Sequence, residues 1–441
     1  MRVIEDPRAI VAREPMHSRQ VAAIGVAASL TAIDGFDVFS ISFASPVIAQ
    51  QWGIDKAALG VVLSMELIGM GLGSIVLGST ADRIGRRPTL LACLMIMASG
   101  MWLASTATDP LTLSLVRLFT GLGIGGLLAS CNAIVAECAN DRQRALAVAL
   151  MIAGYPLGAV IGGSIAAEIL AAAGRWQAIF EFGAFATAAL IIPAAVFVPE
   201  TIAFLCQRQP NHALQRVNRI LAQHGRRPVP TLPPKPRSDD SSVKGLFEPD
   251  LARITMILTL ACFMHIATFY FLMKWIPKLV VDMGYPADGA AGVLVWANVG
   301  GAVGSIAVSL LTQKCRLQQL VIGAMLCGSI AVGIFGQGMA SLTTLSINAA
   351  MAGLFTTGAT AGLYAIFAQS FPTSLRAGGT GFVIGVGRGG AALGPIIAGL
   401  LLSAGWPLSW VAPFMACGCL VAAAGLSQMT VARVRPSKVQ K

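Results

Sequence analysis

The chain has 441 residues, of which 56% are hydrophobic and 12% charged, with a mean hydropathy of +0.74. Soluble domains carry about 25% charged residues, so too few polar side chains are present to cover a water-facing exterior. The net charge of +11 does not mark a nucleic-acid binder, because Lys and Arg fall in short segments between apolar stretches, as membrane topology signals do.

A bilayer span needs about 20 mostly apolar residues. Twelve stretches meet this, at approximately 20–48, 57–80, 89–107, 111–135, 144–171, 176–198, 254–281, 289–312, 318–338, 343–370, 377–403 and 408–431. The predicted fold is an all-α membrane protein with twelve transmembrane helices in two six-helix pseudo-symmetric halves, 1–199 and 253–441. They are joined by a polar linker, 200–252, containing Arg226-Arg227-Pro228, Pro233-Pro234-Lys235-Pro236-Arg237, Asp239-Asp240 and one amphipathic helix near 210–223. The mixed charge before Arg19 and the length of the first apolar run argue against a cleaved signal peptide.

One face of the membrane would collect the N-terminus, Arg83, Arg86, Arg87, Arg142, Arg144, the linker, Lys314, Arg316, Arg376 and the tail with Arg433, Arg435 and Lys438. The other would hold Lys56, Arg175 and Lys278 with Asp55, Asp109, Asp282 and Asp288. This asymmetry places both termini and the linker in the cytoplasm. A shift of 232 residues overlays Gly121 on Gly353, Gly126 on Gly358, Arg144 on Arg376, Ala145 on Ala377, Gly158 on Gly390 and Gly162 on Gly394. Such an internal repeat is what two related halves require. The polar residues do not repeat: Arg117 meets Ala349, Glu137 meets Gln369 and Asp34 meets Ile266.

In the first span, Asp34-Gly35-Phe36-Asp37 puts two carboxylates on one helix face in mid-membrane. Intramembrane acids mark proton or substrate pathways, so Asp34 and Asp37 are candidates for proton coupling and substrate orientation. Helix packing through a hydrogen-bonded pair is the plainer alternative. Glu66 in the second span fits a proton relay or a partner for Arg117. After it comes Gly78-x-x-x-Asp82-Arg83-Ile84-Gly85-Arg86-Arg87, in which Asp82 would act as a charge latch while Arg83, Arg86 and Arg87 anchor and gate.

The fourth span opens Arg117-x-x-x-Gly121-x-Gly123-x-Gly125. An arginine there should face a cavity or a carboxylate, with snorkelling as the alternative. Glu137 ends that span, either as a further proton-coupling group or paired with Arg142 or Arg144. Lys274 beside Trp275 reads as an interfacial pair or, alternatively, as a substrate contact; His265 reads as hydrogen-bonded packing or a site residue. Arg388, flanked by Gly387, Gly389 and Gly390, suits a substrate carboxylate. Tyr155, Tyr270, Trp296, Tyr364, Phe36 and Phe39 are candidates to stack on an aromatic ring. The nine cysteines show no metal-ligand spacing, and no nucleophile–base set appears, so neither an enzyme nor a cofactor or metal site is expected.

The loop after the second span resembles the G-x-x-x-D-R-x-G-R-R signature of the major facilitator superfamily. The fourth span is similar to that superfamily's R-x-x-x-G-x-G-x-G motif, and Pro199-Glu200-Thr201 to its P-E-S element. Gly158-Ala159 stands where the drug/proton antiporters favour G-P. With Asp34-Gly35-Phe36-Asp37 and Arg388, the chain resembles the aromatic acid/proton symporter branch. That resemblance implies an inner-membrane, monomeric importer of a small aromatic carboxylate with protons, in contact with lipid and not with nucleic acid. A drug or metabolite exporter, a sugar carrier and a membrane sensor are the competing readings.

Overall fold

The computed structural model describes residues 6–234, 246–312, 314–338, 341–372 and 375–429. Among them the regular elements are helices, with no strand, and twelve are long and apolar enough to cross a membrane. In chain order these are α2 (Ser18–Trp52), α3 (Lys56–Ile84), α4 (Arg86–Ser105), α5 (Pro110–Cys138), α6 (Arg144–Ala173), α7 (Gln177–Phe197), α10 (Pro249–Asp282), α11 (Ala287–Leu311), α12 (Leu317–Phe335), α13 (Leu342–Ser370), α14 (Arg376–Ser403) and α15 (Leu408–Ser427). Three shorter helices are α1 (Pro7–Arg13), α8 (Ile202–Arg208) and α9 (Ala213–Gln223). The expected linker helix is α9; α8 was not anticipated. The tail residues Arg433, Arg435 and Lys438 lie outside the described residues, as do Lys235, Pro236, Arg237, Asp239 and Asp240.

The sequence sets the helix ends by ordinary capping. Asp55 and Asp109 each accept from a backbone N–H three residues on, at 2.9 Å, and His17 with Gln20 closes a capping box. Gly53 and Gly174 end α2 and α6 in left-handed backbone, φ 60° and 63°.

The two halves repeat one set of helix pairings. Helix α2 packs on α6 as α10 packs on α14, α3 on α5 as α11 on α13, and α4 on α7 as α12 on α15. The repeating glycines are the crossing points of these pairs. A Cβ on Gly121 would overlap the Glu66 carbonyl, and one on Gly353 the Ala297 carbonyl; Gly158 abuts Ala32 and Gly390 abuts Phe263 in the same way. Small residues allow this backbone-to-backbone approach.

Across the halves α3 meets α14, α6 meets α11, and α2 meets α10. The α3–α14 seam is tight where Gly60 approaches Gly399 and the Pro395 carbonyl. At that end Lys56 pairs with Asp282 at 3.3 Å and Ser403 donates to Asp55 at 3.1 Å, and a depression of about 580 Å³ lies over the same residues. The halves are therefore closed at the Asp55 end. Toward the other end of α14, Cβ atoms on Gly378, Gly381 and Gly385 would meet nothing within 4 Å. Helices α1, α8 and α9 form a separate small core through Ile10, Val11, Phe204, Leu205, Val217 and Leu221.

Candidate functional site

Close helix packing brings four charged side chains together at mid-membrane depth. Gly121 lets α5 press its backbone on α3 at Glu66, so Arg117, one turn earlier on α5, lies beside the Glu66 carboxylate. Arg117 also pairs with Asp37 of α2 at 3.0 Å and donates to the Asp37 carbonyl at 2.9 Å. Its guanidinium lies over the Phe180 ring, 5.4 Å from the centroid. From the second half, Lys274 of α10 reaches the other oxygen of Glu66 at 3.1 Å and donates to the Val38 carbonyl. Arg117, Asp37, Glu66 and Lys274 are all fully buried. A buried ion pair must recover the cost of desolvation, and this cluster does so with two cations for two anions.

Asp34, one turn before Asp37, is also fully buried, yet neither carboxylate oxygen has a hydrogen-bond partner among the described residues. Its electrostatic neighbours are Asp37, Glu66 and Arg388. Leaving a buried charge without donors is costly, so Asp34 is the anomalous group of the interior. Gly35 fixes the local packing: without a Cβ, α2 lies directly on the Tyr155 carbonyl of α6, next to Asp34.

Beside Asp34 stands a second, less buried group. Arg388 of α14 is half-buried and donates to the Met70 carbonyl of α3 at 3.1 Å. Tyr270 and Tyr364 are its electrostatic neighbours, and Tyr155 adjoins Tyr270. Two of the chain's four tyrosines thus neighbour the guanidinium, and a third adjoins one of them. Tyr364 is 42% exposed, and the buried Tyr155 hydroxyl lies against the Tyr270 hydroxyl. Phe39 joins the two groups, edge-on to Tyr155 at 6.1 Å and 5.9 Å from the Lys274 ammonium. An arginine fork among aromatic faces can take a carboxylate on a ring.

The remaining candidates fall elsewhere. Trp296 is 54% exposed and meets none of these groups. His265 is buried, and its Nε2 bonds the Thr356 carbonyl and Thr360 Oγ1, each at 3.0 Å, while its Nδ1 meets Cys419. Glu137, twenty residues after Arg117 on α5 and so about 30 Å along the axis, pairs with Arg86 at 3.3 Å instead of Arg142 or Arg144. Lys274 is not the interfacial residue its neighbour Trp275 suggested. Both side chains are buried, Trp275 donating to the Pro395 carbonyl at 3.1 Å. The signal for Lys274 was the excess of buried acids; Glu66 needed a second cation.

At the Arg86 end the latch forms within the first half. Arg86 pairs with Asp82 at 3.0 Å, and its backbone N–H donates to Glu200 at 3.0 Å. Arg208 of α8 donates to the Asp82 carbonyl at 2.8 Å, Arg87 donates to the Ala195 carbonyl at 2.6 Å, and Arg83 is exposed. Burial pushes the Glu200 carboxyl up from its ordinary value, opposed by backbone N–H donors from Thr201, Arg86 and Arg87. The glycine of the signature is compelled twice: Gly85 has φ 119°, and a Cβ there would strike the Glu200 carboxylate. Gly85→Ala should therefore cost about 1–3 kcal/mol, seen as earlier thermal unfolding of the detergent-purified protein. An unchanged melting curve would show that the loop relaxes freely.

Two pseudo-symmetric helix bundles meeting over a mid-membrane charge site define a multi-pass membrane carrier. The chain belongs to the Major Facilitator Superfamily, whose profile matches residues 27–338. It is 28% identical over 414 residues to the 4-hydroxybenzoate transporter PcaK of Acinetobacter baylyi, covering 92% of this chain and 90% of that one. It is 30% identical over 410 residues to the gallate transporter of Pseudomonas putida, covering 91% and 90%. To the 3-(3-hydroxy-phenyl)propionate transporter of Escherichia coli it is 29% identical over 408 residues, covering 92% and 93%. In fold it is similar to a partially occluded, inward-open xylose transporter XylE from E. coli, with TM-score 0.72, 14% identity and coverage of 96% and 100%. These relatives are transporters, and the chain is a transporter and not an enzyme.

Proposed function

We propose that the chain imports a small aromatic carboxylate together with protons by alternating access. It would do so as a monomer in the inner membrane, with both termini and the 200–252 linker cytoplasmic and the halves at 1–199 and 253–441. The observation that carries this reading is a donorless buried carboxylate, Asp34, in the electrostatic field of a half-buried arginine, Arg388, with Tyr270 and Tyr364 beside that arginine. The relatives' named substrates, hydroxylated aromatic acids, suit such a site.

Asp34 and the substrate carboxylate compete for one guanidinium. When the anion binds Arg388, it neutralises the positive field at Asp34, which takes a proton; when the anion leaves, that field returns and Asp34 gives the proton up. The Arg86 end is the cytoplasmic exit, and Tyr155, Tyr270 and Tyr364 supply ring contacts. The test is uptake of labelled 4-hydroxybenzoate or gallate into proteoliposomes with and without an inward proton gradient. Accumulation above equilibrium is expected only with the gradient. Gradient-independent uptake would remove proton coupling, and accumulation driven only by an opposed gradient would make the chain an exporter.

A further inference from the structure

Asp34 accounts for one proton, but the mid-membrane charges do not balance within either half. The first half contributes Asp34, Asp37, Glu66 and Arg117, three acids against one base, a formal charge of −2; the second contributes Lys274 and Arg388, +2. In this state, closed at Asp55, the formal charges of the halves cancel, with Arg388 an electrostatic neighbour of Asp34 and Lys274 paired with Glu66. Lys274 can do this only while α10 lies against α2, where its ammonium also bonds the Val38 carbonyl.

We propose that Lys274 makes the carrier electrogenic, by adding a second transported proton that belongs to the Glu66–Asp37 pair and is linked to conformation instead of substrate. This rests on the proposed symport. When the Asp55 end opens, Lys274 withdraws from Glu66 into water. Arg117 then remains as one cation for two carboxylates, and the pair takes up one proton from the Asp55 side. On closure Lys274 returns to Glu66 and replaces that proton, which leaves at the Arg86 end. The groups facing this pair are Arg117 from α5, Lys274 from α10, Asp34 from α2 and, farther off, Tyr155, Tyr270 and Arg388. Two protons and one monoanion carry a net charge of +1 inward.

The test uses proteoliposomes at equal pH on both sides, with an interior-negative potassium diffusion potential and labelled 4-hydroxybenzoate. Wild type should accumulate the acid under the potential alone. Lys274→Met leaves the Glu66–Asp37 pair holding its proton in both states, so one proton accompanies one anion. That variant should lose the potential-driven accumulation and keep accumulation driven by a pH gradient. Should the single variant fail to fold, Glu66→Gln with Lys274→Met, which leaves the neutral Asp37–Arg117 pair, should behave in the same way. Wild-type accumulation indifferent to potential would overturn the proposal, as would potential-driven accumulation retained in a folded variant. Failure of the symport reading looks different, since wild type would then show no response to a pH gradient.

Discussion

Asp34→Asn is expected to abolish gradient-driven accumulation of an aromatic acid while leaving substrate counterflow intact. Asn is close in size to a protonated aspartate and cannot exchange a proton, so the variant is fixed in the loaded-site form. Counterflow needs no net proton movement and should survive; the empty carrier resets only after Asp34 gives up its proton, so net accumulation should stop even though the Glu66–Asp37 pair can still exchange a proton. The paired control is Asp37→Asn. Asp37 is bound to Arg117 at 3.0 Å, so its loss leaves a buried arginine partly unpaired, which costs about 3–5 kcal/mol and should lower stability as well as transport. If Asp34→Asn accumulated substrate like wild type, Asp34 would be excluded as the substrate-linked proton site.

Arg388→Ala should weaken binding of the acid most. Truncating one partner of a buried charge pair costs about 2–5 kcal/mol, and because Arg388 is half-buried the loss should lie near the lower end, roughly thirtyfold in Kd. Arg388→Lys keeps the charge and loses the planar fork, so it should recover only part of that loss. Scintillation proximity binding of labelled 4-hydroxybenzoate measures both variants. Equal affinity in wild type and Arg388→Ala would move the carboxylate site elsewhere. The same substitution removes the hydrogen bond to the Met70 carbonyl, so detergent stability must be followed alongside.

The spans were legible because hydropathy over twenty residues is a one-dimensional signal, and the glycine repeat was legible because helix crossings recur with the fold. Asp34, Asp37, Arg117 and Arg388 were legible singly, since any charge within a span calls for an explanation. Their partners were not. The hydropathy of α10 cannot tell whether Lys274 points to a bilayer surface or across the halves to Glu66, and the neighbouring Trp275 suggested the surface. Glu137 was misjudged for the same reason: Arg142 and Arg144 are near in sequence, whereas Arg86 is near in space. Long-range pairing between charges is set by tertiary contact, which no local pattern reports. The Glu200–Gly85 contact likewise joins two motifs that sequence reading treated separately.

The seam where Gly60 meets Gly399 has a consequence for how readily the carrier can cycle. It is nearly bare main chain against main chain, offering no knobs for holes to grip. Within a bilayer, hydrocarbon tails compete with protein for such apolar contact on close to equal terms, so this surface adheres through fit and not through exclusion of water. A smooth joint of that kind can part and re-form at little energetic cost, leaving the direction of each stroke to the charges.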